Sequence, residues 1–227
     1  HFRYPEDMFR VQTAMWGKYH QSAAEDFYNN SDRWDVAQDP GNDVKQEQAS
    51  GSRSRVQPYY LQMRLPGDDQ SHFVLFRPFV PHSTDDSKKQ LASFMVAGSD
   101  PKDYGKLRVF VMTSKTATGH ARNTDVDGPL TIDSRMRSSR EGNFSQDLTL
   151  LSQGGSKVQL GNLLMVPLGN SLVYVRPVYV SASANDAAPE LRRVVVASGD
   201  RTVVGDTLRE ALGELLGTDV STLEAEG

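Results

Sequence analysis

The sequence predicts an α+β fold: a largely antiparallel sheet with hairpins, N-terminal helices and a C-terminal helix. Three observations support this prediction. Apolar residues near the start recur at helical spacing, strand-like runs begin near residue 57, and the last regular segment is again helical. The strand-like runs come in pairs joined by short turns, which favours antiparallel pairing over a regular β-α-β array.

The first helix is indicated by apolar residues in steps of three and four between Met8 and Tyr19. Pro5 suits a first helical turn because that position needs no backbone donor. Glu6 and Asp7 follow it, and their carboxylates favour the positive end of the helix dipole. Gly17 is expected to weaken the far end of this helix.

A second short helix is predicted over residues 22–29, with Ser22 as its N-cap and Glu25 as the capping-box partner. The following stretch, 39–56, is rich in Gly, Ser, Asp and Gln and poor in apolar residues. Such a composition is typical of a flexible loop or linker, so a packed element is not expected there.

Strands account for most of the remaining chain. PYYLQMRL and SHFVLFRPFV are joined by the turn-forming stretch PGDDQ, which predicts a hairpin. KLRVFVMT predicts a further strand, whereas LASFMVAGS fits either a strand or a short helix. A second hairpin is predicted over 162–180, around a tight turn at 168–171. LRRVVVAS and the shorter RTVVGD predict two more strands.

Two helices are predicted in the second half of the chain. One starts near Pro129, and the other is TLREALGELLG. In the latter, Thr207 and Glu210 have the spacing of a capping box, and Gly217 suits the stop. These elements divide the chain into an N-terminal helical segment (1–38), a flexible loop or linker (39–56), an α+β body (57–217) and an acidic, frayed tail (218–227).

Composition narrows the class of protein. The 227 residues carry a net charge of −4, which argues against a nucleic-acid partner because such proteins present a basic surface. There is no cysteine, so disulfide and thiolate chemistry are excluded. No apolar run reaches the roughly 20 residues that span a bilayer, and we expect a water-soluble piece. The chain begins at His1 without a starting Met, as expected for a piece of a longer protein.

The sequence indicates no catalytic residue, metal ligand or cofactor. The five histidines lack the spacing of a metal-binding pair, and we interpret His72 and His82 as hydrogen-bonding residues. Residues 123–128 begin like a calcium-binding loop, but Ser134 stands where the closing carboxylate belongs. We therefore interpret that stretch as a polar turn that caps the next helix, with a weak ion site as the alternative.

Aromatic and basic residues cluster in the predicted strands. Tyr60 and Arg64 share one strand face, Tyr174 and Arg176 share another, and Arg77 lies in the strand after Tyr60. Tyrosine and arginine on an exposed sheet face are typical of binding surfaces, so these five residues are the candidate ligand-binding residues. The alternative is that Tyr174 and Tyr179 pack in the core and Arg176 is solvated or paired.

Several strings, taken together, resemble a known family. They are, in order, RYPEDMF, PYYLQMRLPG, SDPKDYGKLRVFV, LGNLLMVPL, SLVYVRPVYV and PELRRVVV. The chain resembles uncharacterised protein family 0182, a family of bacterial multi-pass membrane proteins, from about Arg3 to Gly217. The resemblance departs at Arg176, where the family pattern commonly has an acid, and over 39–56.

The resemblance implies an integral membrane protein of the plasma membrane, of which this chain is the C-terminal part of a soluble extracytoplasmic region. The implied partner is the rest of the same chain with its transmembrane helices. We expect a non-enzymatic domain that binds an envelope protein, lipid or glycan. The alternative is an enzyme acting on cell-envelope substrates, with His72 or His82 and carboxylates in a pocket. A structural module that assembles the full-length protein is a third possibility.

Overall fold

The structure is a computed structural model. The residues that it describes are 3–41, 54–85, 87, 89–115, 121–123, 126–139, 144–152, 156–168, 171–182 and 188–217. The helices are α1 (Glu6–Tyr19), α2 (Ala24–Asn29), α3 (Pro129–Ser138), α4 (Phe144–Leu151) and α5 (Leu208–Leu216). The strands are β1 (Trp34–Val36), β2 (Tyr59–Arg64), β3 (Ser71–Pro81), β4 (Ser93–Gly98), β5 (Leu107–Val111), β6 (Thr113–Lys115), β7 (Ala121–Asn123), β8 (Ser156–Leu160), β9 (Leu164–Leu168), β10 (Ser171–Ala182), β11 (Glu190–Ser198) and β12 (Arg201–Gly205).

The chain divides into two compact units. The first comprises His1–Asp39 and Arg53–Thr131, and the second comprises Pro40–Ser52 and Ile132–Gly227. Each unit contains one five-stranded antiparallel sheet, and the first also contains the short β6–β7 pair. The predicted α+β class with largely antiparallel sheets and hairpins is therefore confirmed.

The sheet of the first unit is organised around β3. This 11-residue strand pairs with β4 along one side, and β4 pairs with β5. Along its other side, β3 pairs first with β2, over Ser71–Phe76, and then with β1, over Phe79–Pro81. The β2–β3 hairpin predicted from the sequence is present, and the ambiguous LASFMVAGS stretch supplies β4.

Helix α1 covers one face of this sheet. Phe9, Thr13 and Gly17, four residues apart, form its buried side. Phe9 packs into a cluster that contains Leu75 and Phe79 of β3 and Met95 of β4, among other apolar side chains. A Cβ atom on Gly17 would lie 2.6 Å from the carbonyl oxygen of Trp34, so this glycine permits the close approach of helix and strand.

A row of aromatic rings crosses the other face of the same sheet. Tyr59, Phe76, Phe94 and Phe110 come from β2, β3, β4 and β5 in turn, with successive ring centroids 5.3, 5.0 and 4.9 Å apart. Cross-strand aromatic pairs each contribute roughly 0.5–1.5 kcal/mol beyond their buried area. The row therefore ties the four strands together independently of α1.

The second unit has a similarly long strand, β10, at the centre of its sheet. It pairs with β11 on one side, and β11 pairs with β12. On its other side it pairs with β9 over Ser171–Val175 and with β8 over Val178–Ala182. The β9–β10 pairing confirms the hairpin predicted over 162–180, although residues 169 and 170 of its turn lie outside the described residues.

Helix α5 packs on one face of this sheet. Ala211 and Leu215 contact a cluster of valines from β10, β11 and β12. Thr207 and Glu210 form the predicted capping box, and Gly217 ends the helix in the left-handed conformation. The sequence therefore specified both ends of this helix.

Two local predictions at the N-terminal helices need correction. Pro5 is the N-cap of α1, one residue before the first turn that carries Glu6 and Asp7. Ser22 does not cap α2: the N-cap is Ala23, and no side chain caps the helix. Because α2 begins at residue 24, Glu25 stands at the second helical position instead of the third, and the capping-box spacing is lost.

Several predictions fall on residues that are not described. Most of 39–56, all of 218–227 and residues 124–125 of the calcium-like stretch lie outside the described residues. The proposed division into 1–38, 39–56, 57–217 and 218–227 therefore stays a prediction. Of the helices in the described parts of the chain, none is long and apolar enough to span a membrane.

Candidate functional site

Three of the strings that resemble the family meet at one end of the first unit's sheet. The N-terminal string is anchored there by Tyr4, whose backbone N–H donates to Ser99 Oγ at 3.4 Å. Its ring also packs edge-on against Tyr104 of the β4–β5 turn, 5.6 Å away. The Tyr60 hydroxyl of β2 donates to the Tyr4 carbonyl at 2.6 Å. These contacts join the N-terminal string, the PYYLQMRLPG string and the SDPKDYGKLRVFV string.

His72 lies at the same end and is surrounded by carboxylates. Its Nε2 is 3.1 Å from Asp68 of the β2–β3 turn. Its Nδ1 is 3.5 Å from Asp103 and 3.9 Å from Asp100, both in the β4–β5 turn. Acceptors thus face both ring nitrogens, whereas a neutral imidazole carries one N–H donor. The ring is consequently oriented by two turns that are distant in sequence.

Two cations complete this cluster. Arg108 of β5 donates to Asp68 at 2.7 Å, and Lys106 donates to Asp103 at 2.6 Å. The hydrogen bond from Lys106 is the main cause that lowers the pKa of Asp103 below its ordinary value, with smaller contributions from the charges of Lys106, Arg108 and His72. Two cations and the His72 ring thus face three carboxylates. Among the described residues, no group of His, Asp or Glu is arranged to hold a metal ion.

The other described histidines also face aspartates, one in each case. His82 Nδ1 is 2.7 Å from Asp35, and His20 Nε2 is 3.7 Å from Asp32. His20 additionally hydrogen-bonds the carbonyl of Trp16 near the end of α1 through Nδ1, at 3.0 Å. His82 hydrogen-bonds Asp35, as interpreted from the sequence, whereas His72 lies among three carboxylates, a convergence that the sequence did not indicate.

Two side chains contact the Tyr60 ring. It stacks on Phe73 with centroids 5.5 Å apart, and the guanidinium carbon of Arg3 lies 5.2 Å from its centroid. Burial, with a smaller contribution from the nearby Glu6 carboxylate, raises the pKa of Tyr60. Tyr60 therefore positions Arg3 by a cation–π contact, and its own hydroxyl is engaged by the main chain.

Arg64 lies four residues further along the same strand. The register places Tyr60, Gln62 and Arg64 on one face of β2, as predicted, and the side chains of Gln62 and Arg64 are exposed. Arg3 is exposed as well. Among the described residues β2 pairs with β3 alone, so this strip lies on an edge strand. Arg3, Tyr60, Gln62 and Arg64 are called the β2 strip below.

Arg77 is placed differently from these residues. It is buried beneath α1, where Nε donates to the carbonyl of Val56 at 2.9 Å and Nη1 donates to Thr13 Oγ1 at 2.8 Å. Burial lowers the pKa of Arg77 to about 10, and the charge of Arg10 adds to that effect. These contacts link α1, β3 and the segment before β2.

Tyr174 and Arg176 lie in the second unit, on one face of β10, and both are buried. Arg176 forms an ion pair with Asp133 of α3 and donates to the carbonyl of Gly41. The sequence offered the alternative that Tyr174 packs in the core and Arg176 is paired, and the structure shows this arrangement. Of the five candidate binding residues, Tyr60 and Arg64 share one surface, and whether any of the five binds a ligand stays a prediction.

Fold and site together define an α+β domain with a His-carboxylate cluster and a basic edge strip in its first unit. The chain belongs to the family described as "Uncharacterised protein family (UPF0182)", whose model matches residues 1–151. The family identified from the sequence strings is confirmed.

Comparison with curated proteins gives the same family. A UPF0182 protein of Bradyrhizobium diazoefficiens is 39% identical over 216 residues, which are 95% of this chain and 21% of that protein. UPF0182 proteins of Micrococcus luteus and Desulfitobacterium hafniense are 36% and 35% identical over 239 and 218 residues, again 21% of each relative. The chain thus spans about a fifth of the length of these relatives. No solved structure matches the chain.

Proposed function

We propose that this chain is a non-enzymatic extracytoplasmic domain of an integral membrane protein of the plasma membrane, and that it binds a ligand or partner of the cell envelope. The observation that carries the binding proposal is the β2 strip. Two exposed arginines, Arg3 and Arg64, flank a tyrosine and a glutamine on an edge strand. The membrane location rests on the resemblance stated above.

The chemistry of the β2 strip favours an anionic group on the ligand. Arginine presents a rigid fork of donors that matches carboxylate and phosphate geometry. Arg3 is already held over the Tyr60 ring, 5.2 Å from its centroid, so less side-chain freedom is lost when it binds. An acidic envelope protein, a phospholipid headgroup or an acidic glycan would each supply such a group.

The test uses the full-length protein purified from its own membrane, with co-purifying proteins, lipids and glycans identified by mass spectrometry. Arg64→Ala and Arg3→Ala should each reduce the amount of the co-purifying molecule, and the double variant should reduce it further. Arg192→Ala is the control, since Arg192 is an exposed arginine of the second unit. Equal recovery from wild type, the double variant and the control would contradict binding at this strip.

An enzyme acting on envelope substrates is the second candidate, and the His72 cluster favours it. Carboxylates that orient a histidine are a common feature of general acid–base catalysis. If the domain is an enzyme, the full-length wild-type protein should convert an envelope component, and the His72→Gln variant should not. Product formation is followed by mass spectrometry. Turnover that persists in His72→Gln, or no turnover by wild type on envelope extracts, would remove this candidate.

A further inference from the structure

Helix α1 carries more apolar surface than its sheet buries. Met8, Val11, Met15 and Tyr19 follow one another in steps of three, four and four, so they lie in a row along one side of the helix. All four side chains are about half exposed or more, from 47% for Tyr19 to 64% for Val11. These four residues are called the α1 row below.

The α1 row is distinct from the buried side of the helix. Phe9, Thr13 and Gly17 face the sheet, and the row lies on a different side at its own helical spacing. Arg10 lies outside the row, whereas Lys18 borders it, with its Nζ 5.1 Å from the centroid of the Tyr19 ring. Helix α1 therefore carries apolar residues on a side that the sheet does not cover. A second element packed on that side would bury the α1 row.

Helix α2 extends this surface. Phe27 stacks on Tyr19 with ring centroids 6.1 Å apart and is 46% exposed. The neighbouring Tyr28 is 81% exposed, and Trp16 of α1 is 43% exposed. A contiguous group of large apolar side chains of this kind usually marks a contact surface.

We propose that the α1 row is the docking surface for an α-helix supplied by the part of the same polypeptide that lies outside these 227 residues. Residues three and four apart along a helix form the ridges and grooves that receive another helix. The chain spans 21% of each of three relatives, so about four fifths of such a polypeptide is available to provide the partner. This proposal does not depend on ligand binding at the β2 strip.

Two other occupants fit the surface less well. A helix that lies on a membrane surface usually carries a basic polar face, whereas α1 balances Arg10 and Lys18 with Glu6 and Asp7. A second copy of the chain would pair four residues of one 14-residue helix with the same four. That contact is small beside the roughly 800 Å² per partner of a standard interface.

The test is site-specific photo-cross-linking in the full-length protein, with p-benzoylphenylalanine in place of Val11. The matched control replaces Arg10, whose side chain is 45% exposed on the same helix but outside the α1 row. Val11 should give a several-fold higher yield of cross-links than Arg10. Mass spectrometry should map them to residues of the same polypeptide outside the present 227, without an increase in mass.

Three results would overturn the proposal: a cross-linked species of twice the mass, a lipid adduct, or equal yields from the two positions. Met15 provides a second attachment point on the α1 row, 53% exposed, should replacement of Val11 lower expression. Loss of ligand from the β2 strip variants would leave these outcomes unchanged, so the two proposals fail separately.

Discussion

Arg176 of β10 and Asp133 of α3 form an ion pair in which the arginine side chain is completely buried. Asp133 also accepts a hydrogen bond from Arg137, one turn further along α3, at 3.0 Å. Arg176 donates in addition to the carbonyl of Gly41. A buried guanidinium is tolerated because a carboxylate and a carbonyl oxygen replace the water that it loses.

Breaking this pair on one side is predicted to be costly. Asp133→Asn leaves the buried guanidinium of Arg176 without its counter-charge, and the expected loss of unfolding free energy is about 3–5 kcal/mol. The double variant Arg176→Met with Asp133→Leu should lose much less, because it leaves no unpaired charge. Chemical denaturation of the three proteins measures the difference, and a double variant less stable than Asp133→Asn would contradict the account.

Arg77 is predicted to stabilise the first unit through its two hydrogen bonds. Arg77→Met leaves the carbonyl of Val56 without this donor and removes the bond to Thr13, at an expected cost of about 2–3 kcal/mol. Arg77→Lys should also destabilise, because an ammonium cannot reproduce the planar fork. The control Arg10→Ala removes an exposed arginine and should change the midpoint of denaturation little. Equal effects at both positions would refute this role.

Asp103 is predicted to contribute to acid sensitivity. Its pKa is lower in the folded chain, chiefly because Lys106 donates a hydrogen bond to it, so the folded state holds this proton less tightly than the unfolded state. The contribution to stability is present above the ordinary pKa of about 3.9 and is lost as pH falls below that value. Asp103→Asn should therefore make the decline of thermal stability below about pH 4 shallower.

A second variant checks the cause of that effect. Lys106→Gln removes the main group that lowers the pKa of Asp103, and it should flatten the same acidic limb while leaving the carboxylate in place. If wild type and both variants lose stability in parallel below about pH 4, the assignment to Asp103 is wrong.

The capping box at the start of α5 is predicted to stabilise the second unit modestly. Thr207 Oγ1 accepts from the backbone N–H of Glu210 at 3.2 Å, and Glu210 accepts in return from the Thr207 N–H at 3.3 Å. Thr207→Ala should cost about 1 kcal/mol, whereas Thr207→Ser keeps the acceptor and should cost little. Denaturant unfolding separates the two, and a serine variant as unstable as the alanine variant would argue against capping.

The local parts of the fold were predictable from the sequence because their signals are local. The PGDDQ turn between two β-rich runs specified the β2–β3 hairpin, and Thr207, Glu210 and Gly217 specified both ends of α5. The capping box predicted at Ser22 was wrong because the same spacing gives no cap when the helix begins at residue 24. Short motifs predict caps reliably only where the helix boundary itself is well defined.

The site was less predictable because it depends on which strands become neighbours. Strand alternation correctly placed Tyr60 and Arg64 on one face, but it could not show that α1 covers Arg77. His72 meets Asp100 and Asp103, which lie in the turn after β4, because β3 pairs with β4. The spacing of Met8 and Val11 identified a helix without showing that its sheet would cover a different side.

The most direct test of the central proposal, that this domain lies on the extracytoplasmic side, is cysteine labelling in intact cells. The chain has no cysteine, and Asp200 in the β11–β12 turn has a fully exposed side chain, so Asp200→Cys in the full-length protein introduces one accessible thiol. The full-length protein without this substitution is the control, and it measures the labelling of any cysteines elsewhere in the polypeptide. We expect a membrane-impermeant maleimide to label this thiol equally in intact and permeabilised cells. Labelling only after permeabilisation would place the domain in the cytoplasm and contradict the proposal.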